Sequence, residues 1–85
     1  MHTDPLTAFV AERLAEAADP EKAGPMAAYM KTDMPFYGVQ KAGLDPILRA
    51  AVERFPPSNR EDYRTAVLAL WEQPHREEKY LAIGY

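Results

Sequence analysis

The sequence predicts an all-α protein of about five helices, set as antiparallel pairs in an α-solenoid. Two observations carry that prediction. Asp-Pro pairs recur at Asp4-Pro5, Asp19-Pro20 and Asp45-Pro46, each a capping carboxylate followed by a ring pre-set to helical φ. Apolar residues then recur at three- and four-residue spacing after each opening, and no stretch alternates convincingly as a strand.

In the first element, Leu6, Phe9, Val10, Leu14 and Ala17 fall on one helical face and Glu12, Arg13 and Glu16 on the other, the pattern of a packing helix with a solvated side. Asp19-Pro20 opens a second helix running from Glu21 to Lys31, with a kink or restart at Gly24-Pro25 because an internal proline removes a backbone bond. Met26, Ala27, Met30 and Met34 read as its buried stripe. Thr32 to Pro35 ends it. Phe36-Tyr37-Gly38-Val39-Gln40 follows as an aromatic loop, with Gly38 in a conformation that disfavours Cβ and with Phe36 and Val39 pinning it to the core. Asp45-Pro46 opens the third helix through Ile47, Leu48, Ala51, Val52 and Phe55, which Pro56-Pro57 terminates. Ser58-Asn59-Arg60-Glu61 reads as a capping box, and Tyr63, Val67, Leu70 and Trp71 form one face of the helix it starts. Pro74 opens the last helix, with a charged first part at His75–Lys79 and an apolar end at Tyr80, Leu81 and Ile83.

Composition narrows the function. The chain has 85 residues, 47% hydrophobic and 27% charged, with no cysteine and a formal net charge of −3. One domain stabilised by packing is expected, without a disulfide frame or thiolate metal site. No run approaches the roughly 18 apolar residues of a membrane span, and no basic-then-apolar leader opens the chain, so the cytoplasm is the expected location. The acidic balance argues against a surface that binds nucleic acid everywhere, while leaving room for a local basic patch.

No catalytic constellation is legible. His2 and His75 have no metal-ligand spacing, the four glycines are scattered and form no phosphate loop, and Glu77-Glu78 between Arg76 and Lys79 reads as a solvated helix face. Phe36, Trp71 and Tyr80 read as core anchors rather than a stacking platform; Tyr29 and Tyr37 stay open between those roles. Gln40 can offer donor and acceptor to a nucleotide, or serve its own turn. Lys31, Lys41 and Arg49 lie near it in sequence as candidate phosphate contacts or as plain solvated charges.

Pro20-Glu21-Lys22-Ala23, Met26-Ala27-Ala28-Tyr29-Met30-Lys31, Phe36-Tyr37-Gly38-Val39-Gln40, and Leu70-Trp71-Glu72-Gln73-Pro74-His75-Arg76-Glu77 with Tyr80 and Ala82 together resemble the N-terminal part of the DNA alkylation repair family. That resemblance implies a HEAT-like-repeat solenoid and a DNA glycosylase that excises N3- and N7-alkylated purines, holding duplex DNA on a concave face and using no metal, cofactor or covalent nucleophile. Tyr29 and Gln40 match family positions facing the DNA cleft, and Trp71 matches a structural tryptophan. After Gln40 the family continues with Thr-Pro and two arginines, whereas Lys41-Ala42-Gly43-Leu44 stands here, so part of the basic character is absent.

The resemblance also places the family's catalytic aspartate and tryptophans in later repeats. The expectation is therefore a single N-terminal fragment, residues 1–85, inactive in excision by itself, with Tyr29, Gln40, Lys31 and Lys41 as its nucleic-acid-binding residues and no catalytic or metal-binding ones. The last helix ends on an apolar stripe without a polar cap, which suggests either continuation into further repeats or self-association through that helix. The rival reading is a non-enzymatic helical-repeat module that binds protein, favoured by the sign of the net charge.

Overall fold

The computed structural model describes residues 2–85. Among them five α-helices and no strand are present: α1 Asp4–Ala17, α2 Pro20–Tyr29, α3 Lys41–Arg54, α4 Arg60–Trp71 and α5 Arg76–Gly84. Helices α1 and α3 pack together, as do α4 and α5, and α1 and α5 link the two pairs through contacts with α4 and α3. The core is aliphatic. Leu6, Val10 and Leu14 of α1 meet Leu44, Ile47 and Ala51 of α3, Ala66 and Leu70 of α4, and Leu81 and Ala82 of α5. Leu6, Leu14 and Leu70 are fully buried, each worth about 1.5–3 kcal/mol relative to exposure. Helix α2 stands apart, packing its backbone closely against no other helix.

Several boundaries differ from the sequence expectation for identifiable reasons. Asp4 is the first residue of α1 and Thr3 takes the cap position, so the carboxylate acts on the helix dipole instead of closing the turn. Asp19 does cap α2, its Oδ1 accepting the Glu21 amide at 3.1 Å. That helix runs through Pro25 and ends at Tyr29, two residues before the expected Lys31. A Schellman closure stops it: the Lys31 amide donates to Ala28 O and the Thr32 amide to Ala27 O, with Lys31 in the left-handed region at φ 53. Helix α3 starts at Lys41 rather than Asp45, and Pro46 lies inside it. Leu44 belongs to the same buried stripe as Ile47 and Ala51, and that burial outweighs the single bond Pro46 withholds from the Ala42 carbonyl. Asn59 replaces Ser58 as the cap of α4, with Oδ1 accepting the Asp62 amide at 2.8 Å. His75 caps α5 in a capping box with Glu78.

The expected aromatic and methionine anchors also differ. Trp71, Tyr80 and Tyr63 are substantially exposed, Met30 is exposed, and Met26 and Phe36 are only half-buried. The expected buried stripe on α2 does not form; none of its residues is buried. Trp71 is the last residue of α4, where Lys79 reaches over it, Nζ 5.7 Å from the ring centre and donating to the carbonyls of Trp71 (2.8 Å) and Gln73 (2.7 Å). The Tyr85 hydroxyl donates to the Phe55 carbonyl, tying the last residue to the end of α3. Phe9 and Phe55 meet edge to face, ring centres 5.7 Å apart.

Candidate nucleic-acid interface

The 36–40 loop has a backbone that no strand can satisfy, so its amides must find other partners. Three of them find one carboxylate. Glu77 Oε1 accepts the Tyr37 amide at 3.0 Å, and Oε2 accepts those of Gly38 at 2.8 Å and Val39 at 3.1 Å. The Pro35 carbonyl accepts the Arg76 amide, and the Tyr37 carbonyl accepts the Asp19 amide, both at 3.0 Å. Glu77 is fully buried and Glu78 nearly so, which overturns the expectation of a solvated face. Their positions in the first turn of α5 put both charges against the positive end of that helix.

Glu78 accepts the His75 amide and pairs with His75 Nδ1, both at 3.2 Å. The His75 ring stacks on Tyr37, centroids 3.8 Å apart and planes 20° from parallel. Burial, then the negative charges of Glu78 and Glu77, raise the Tyr37 phenol above its ordinary pKa of 10.0. Gly38 has φ +91, and a Cβ there would stand 2.0 Å from the Asp19 carbonyl oxygen. The expected positive φ is therefore present, with a second reason for glycine: the start of α2 lies against it.

Gln40 follows this clamped segment. Its carbonyl accepts the amides of Gly43 at 2.9 Å and Leu44 at 3.1 Å, so its backbone caps α3 while its side chain makes no capping bond. The exposed amide accepts from Lys22 Nζ at 3.4 Å. Two open grooves meet there. One, of about 390 Å³, runs along α2 past Met26, Tyr29, Phe36 and Tyr80; the other, of about 570 Å³, lies between α3 and α5 past Lys41, Leu44, Leu48 and Leu81. Met26, Gln40 and Tyr80 line both.

The structure thus brings Tyr29, Gln40 and Lys41 to adjoining concave surfaces. Tyr29 is 86% exposed. Lys31 lines neither groove; it sits just past the end of α2. Arg49, exposed on α3, lines neither as well. The walls are largely apolar, and each groove carries a balanced pair of charges, Glu21 with Lys22 and Lys41 with Asp45. Sequence reasoning missed Glu77 and Lys22 and placed Tyr80 in the core, whereas it lines both grooves. The signal for Glu77 was three consecutive loop amides without an acceptor; Lys22 left no comparable local signal.

Four helices around an aliphatic core, a fifth standing beside it, and an aromatic and amide-lined groove held by one buried carboxylate define an all-α groove-bearing domain. The sequence profile of the DNA alkylation repair enzymes matches residues 10–85, and the chain belongs to that family. No curated protein matches it.

Proposed function

We propose that the chain is the N-terminal part of a DNA glycosylase that excises N3- and N7-alkylated purines, its helices the opening elements of a HEAT-like α-solenoid. The observation that carries this reading is Gln40: an exposed amide on a clamped backbone, at the junction of two grooves that also present Tyr29 and Lys41. Such an amide donates and accepts, and its turn makes no claim on it. Family membership supports DNA as the partner. The catalytic aspartate and tryptophans belong, on this reading, to later repeats, so these residues hold duplex DNA without excising a base. An alkylated purine is already a good leaving group, and a carboxylate with aromatic faces elsewhere in the solenoid would stabilise the departing cation.

A second reading, a helical module that binds protein, draws support from the apolar groove walls and the net charge of −3. A titration of fluorescent duplex DNA at several salt concentrations separates the two. DNA binding is expected to weaken with salt at a log–log slope of about −2 to −3, from two or three lysine–phosphate contacts. Lys41→Ala is expected to reduce that slope by about one, and Gln40→Ala to cost about two- to tenfold in affinity, one net hydrogen bond. No binding at 20 mM salt (roughly a 20 Å screening length) would leave only the protein-binding module.

A further inference from the structure

We propose that Glu77 is the positioning residue of the groove: its carboxylate sets the backbone from which Gln40 projects. The proposal rests on the reading of Gln40 as the DNA-facing amide. Three observations carry it.

First, three successive amides, those of Tyr37, Gly38 and Val39, converge on this one side chain, and Val39 immediately precedes Gln40. On the other side, the first turn of α3 fixes the Gln40 carbonyl through Gly43 and Leu44. The Gln40 backbone is therefore held from both directions, and α5 supplies the N-terminal hold. Second, the number of acceptors matters. A carboxylate only accepts and has lone pairs for all three amides. A glutamine of nearly the same size has one accepting oxygen, and its NH2 would face at least one loop N–H. If the glutamine oxygen took the place of Oε2, the Tyr37 amide would lose its partner; if it took the place of Oε1, Gly38 and Val39 would. Third, Glu77 is fully buried in the first turn of α5, and the adjacent turn is locked by the His75–Glu78 capping box and the His75–Tyr37 stack. The charge is thus held in place beside His75, Glu78 and Tyr37, none of which lines either groove.

The test uses the ¹⁵N-labelled 85-residue chain and an unmodified duplex oligonucleotide at low salt. Glu77→Gln is expected to stay folded, with lower NMR order and faster amide exchange confined to residues 37–40. Its DNA affinity should fall two- to tenfold, matching Gln40→Ala, and the double variant should lose no more than either single one. Unchanged order at 37–40 in a folded Glu77→Gln chain would overturn the proposal, as would losses that multiply in the double variant. A fall in melting temperature alone, with wild-type DNA binding and order, would mark Glu77 as structural only and overturn it too. If Gln40→Ala binds DNA like the wild type while Glu77→Gln loses order at Gln40, the DNA reading of Gln40 fails and the positioning role stands. Should Glu77→Gln fail to fold, Glu77→Asp keeps the charge but draws it back by one methylene, and is expected to give the same local loss of order; its absence would refute the role.

Discussion

Replacing Gly38 by alanine isolates the junction between α2 and the groove loop. Two costs add. At φ +91 an alanine is in the region that L-residues avoid, at roughly 1–2 kcal/mol. The new Cβ would also lie 2.0 Å from Asp19 O, 2.9 Å from Asp19 C and 3.1 Å from Ala23 N. All three are backbone atoms, so relief requires the start of α2 to move rather than a side chain to rotate; overpacking of this kind costs about 1–3 kcal/mol. The expected loss is about 2–5 kcal/mol, a large share of the roughly 4–13 kcal/mol stability of a chain this long. Gly24 is the control. A Cβ there meets nothing within 4 Å, and its helical position makes Gly24→Ala stabilising for α2 by about 0.5–1 kcal/mol. Thermal and urea unfolding followed by circular dichroism measure both. Gly38→Ala should lower the melting temperature by at least about 8 °C. A Gly38→Ala chain within about 0.5 kcal/mol of wild type would refute the reasoning, because neither the strain nor the contact with Asp19 would then be real.

Lys31→Gly should relieve the left-handed strain at φ 53 and slow amide exchange at the end of α2 by about fivefold, an effect of about 1 kcal/mol. If Lys31 contacts phosphate, the same variant also loses about 0.9 in salt slope for DNA, a readout of opposite sense. Lys79→Met removes donation to the Trp71 and Gln73 carbonyls and should cost about 1–2 kcal/mol in urea unfolding, reduced from the full charge-assisted value by solvent; Trp71 fluorescence should change with it. Tyr37 and Tyr85 both have raised pKa values, Tyr37 by burial and the Glu78 and Glu77 charges, Tyr85 by burial. A raised folded pKa means stability is fully present below pH 10.0 and is lost as pH climbs through the folded value. Alkaline titration of the melting temperature should therefore be steeper for wild type than for the Tyr37→Phe, Tyr85→Phe double variant, and equal slopes would contradict the burial of these phenols.

What the sequence made legible was periodic or local. The Leu6–Val10–Leu14 stripe and the Asp19 cap follow from spacing and short-range chemistry, and both are present. The positive φ at Gly38 and the burial of Val39 were legible for the same reason. Residues that depend on partners distant in the chain were misread. Glu77 is 38 to 40 positions from the amides it binds, and beside Arg76 and Lys79 it looks like any exposed glutamate. Trp71 and Tyr80 were assigned to the core by side-chain size, yet alanine and leucine on α4 and α5 already fill the contact between those helices. Gln40 was readable as an unusual amide; that it also starts α3 was hidden by Pro46, whose single lost bond is outweighed by the burial of Leu44.

Helix α2 explains why the grooves are open. α1 offers Leu6, Val10 and Leu14, all fully buried, whereas the corresponding stripe on α2 is Met26 and Met30, one half-buried and one exposed. The helix satisfies its own ends, with Asp19 at the start and the Schellman closure at the finish, and Pro25 weakens its middle. It is joined to the rest by the Asp19–Tyr37 bond, the seat of Gly38 and the Lys22–Gln40 contact. A helix with so few buried apolar contacts belongs to the low-stability part of a fold. The two walls around Gln40 therefore differ in kind: the loop wall is fixed by a buried carboxylate, while the wall bearing Tyr29 is lined with adaptable methionine. Register on a ligand would come from the first wall and accommodation from the second. That division follows directly from where the aliphatic residues were placed along the chain.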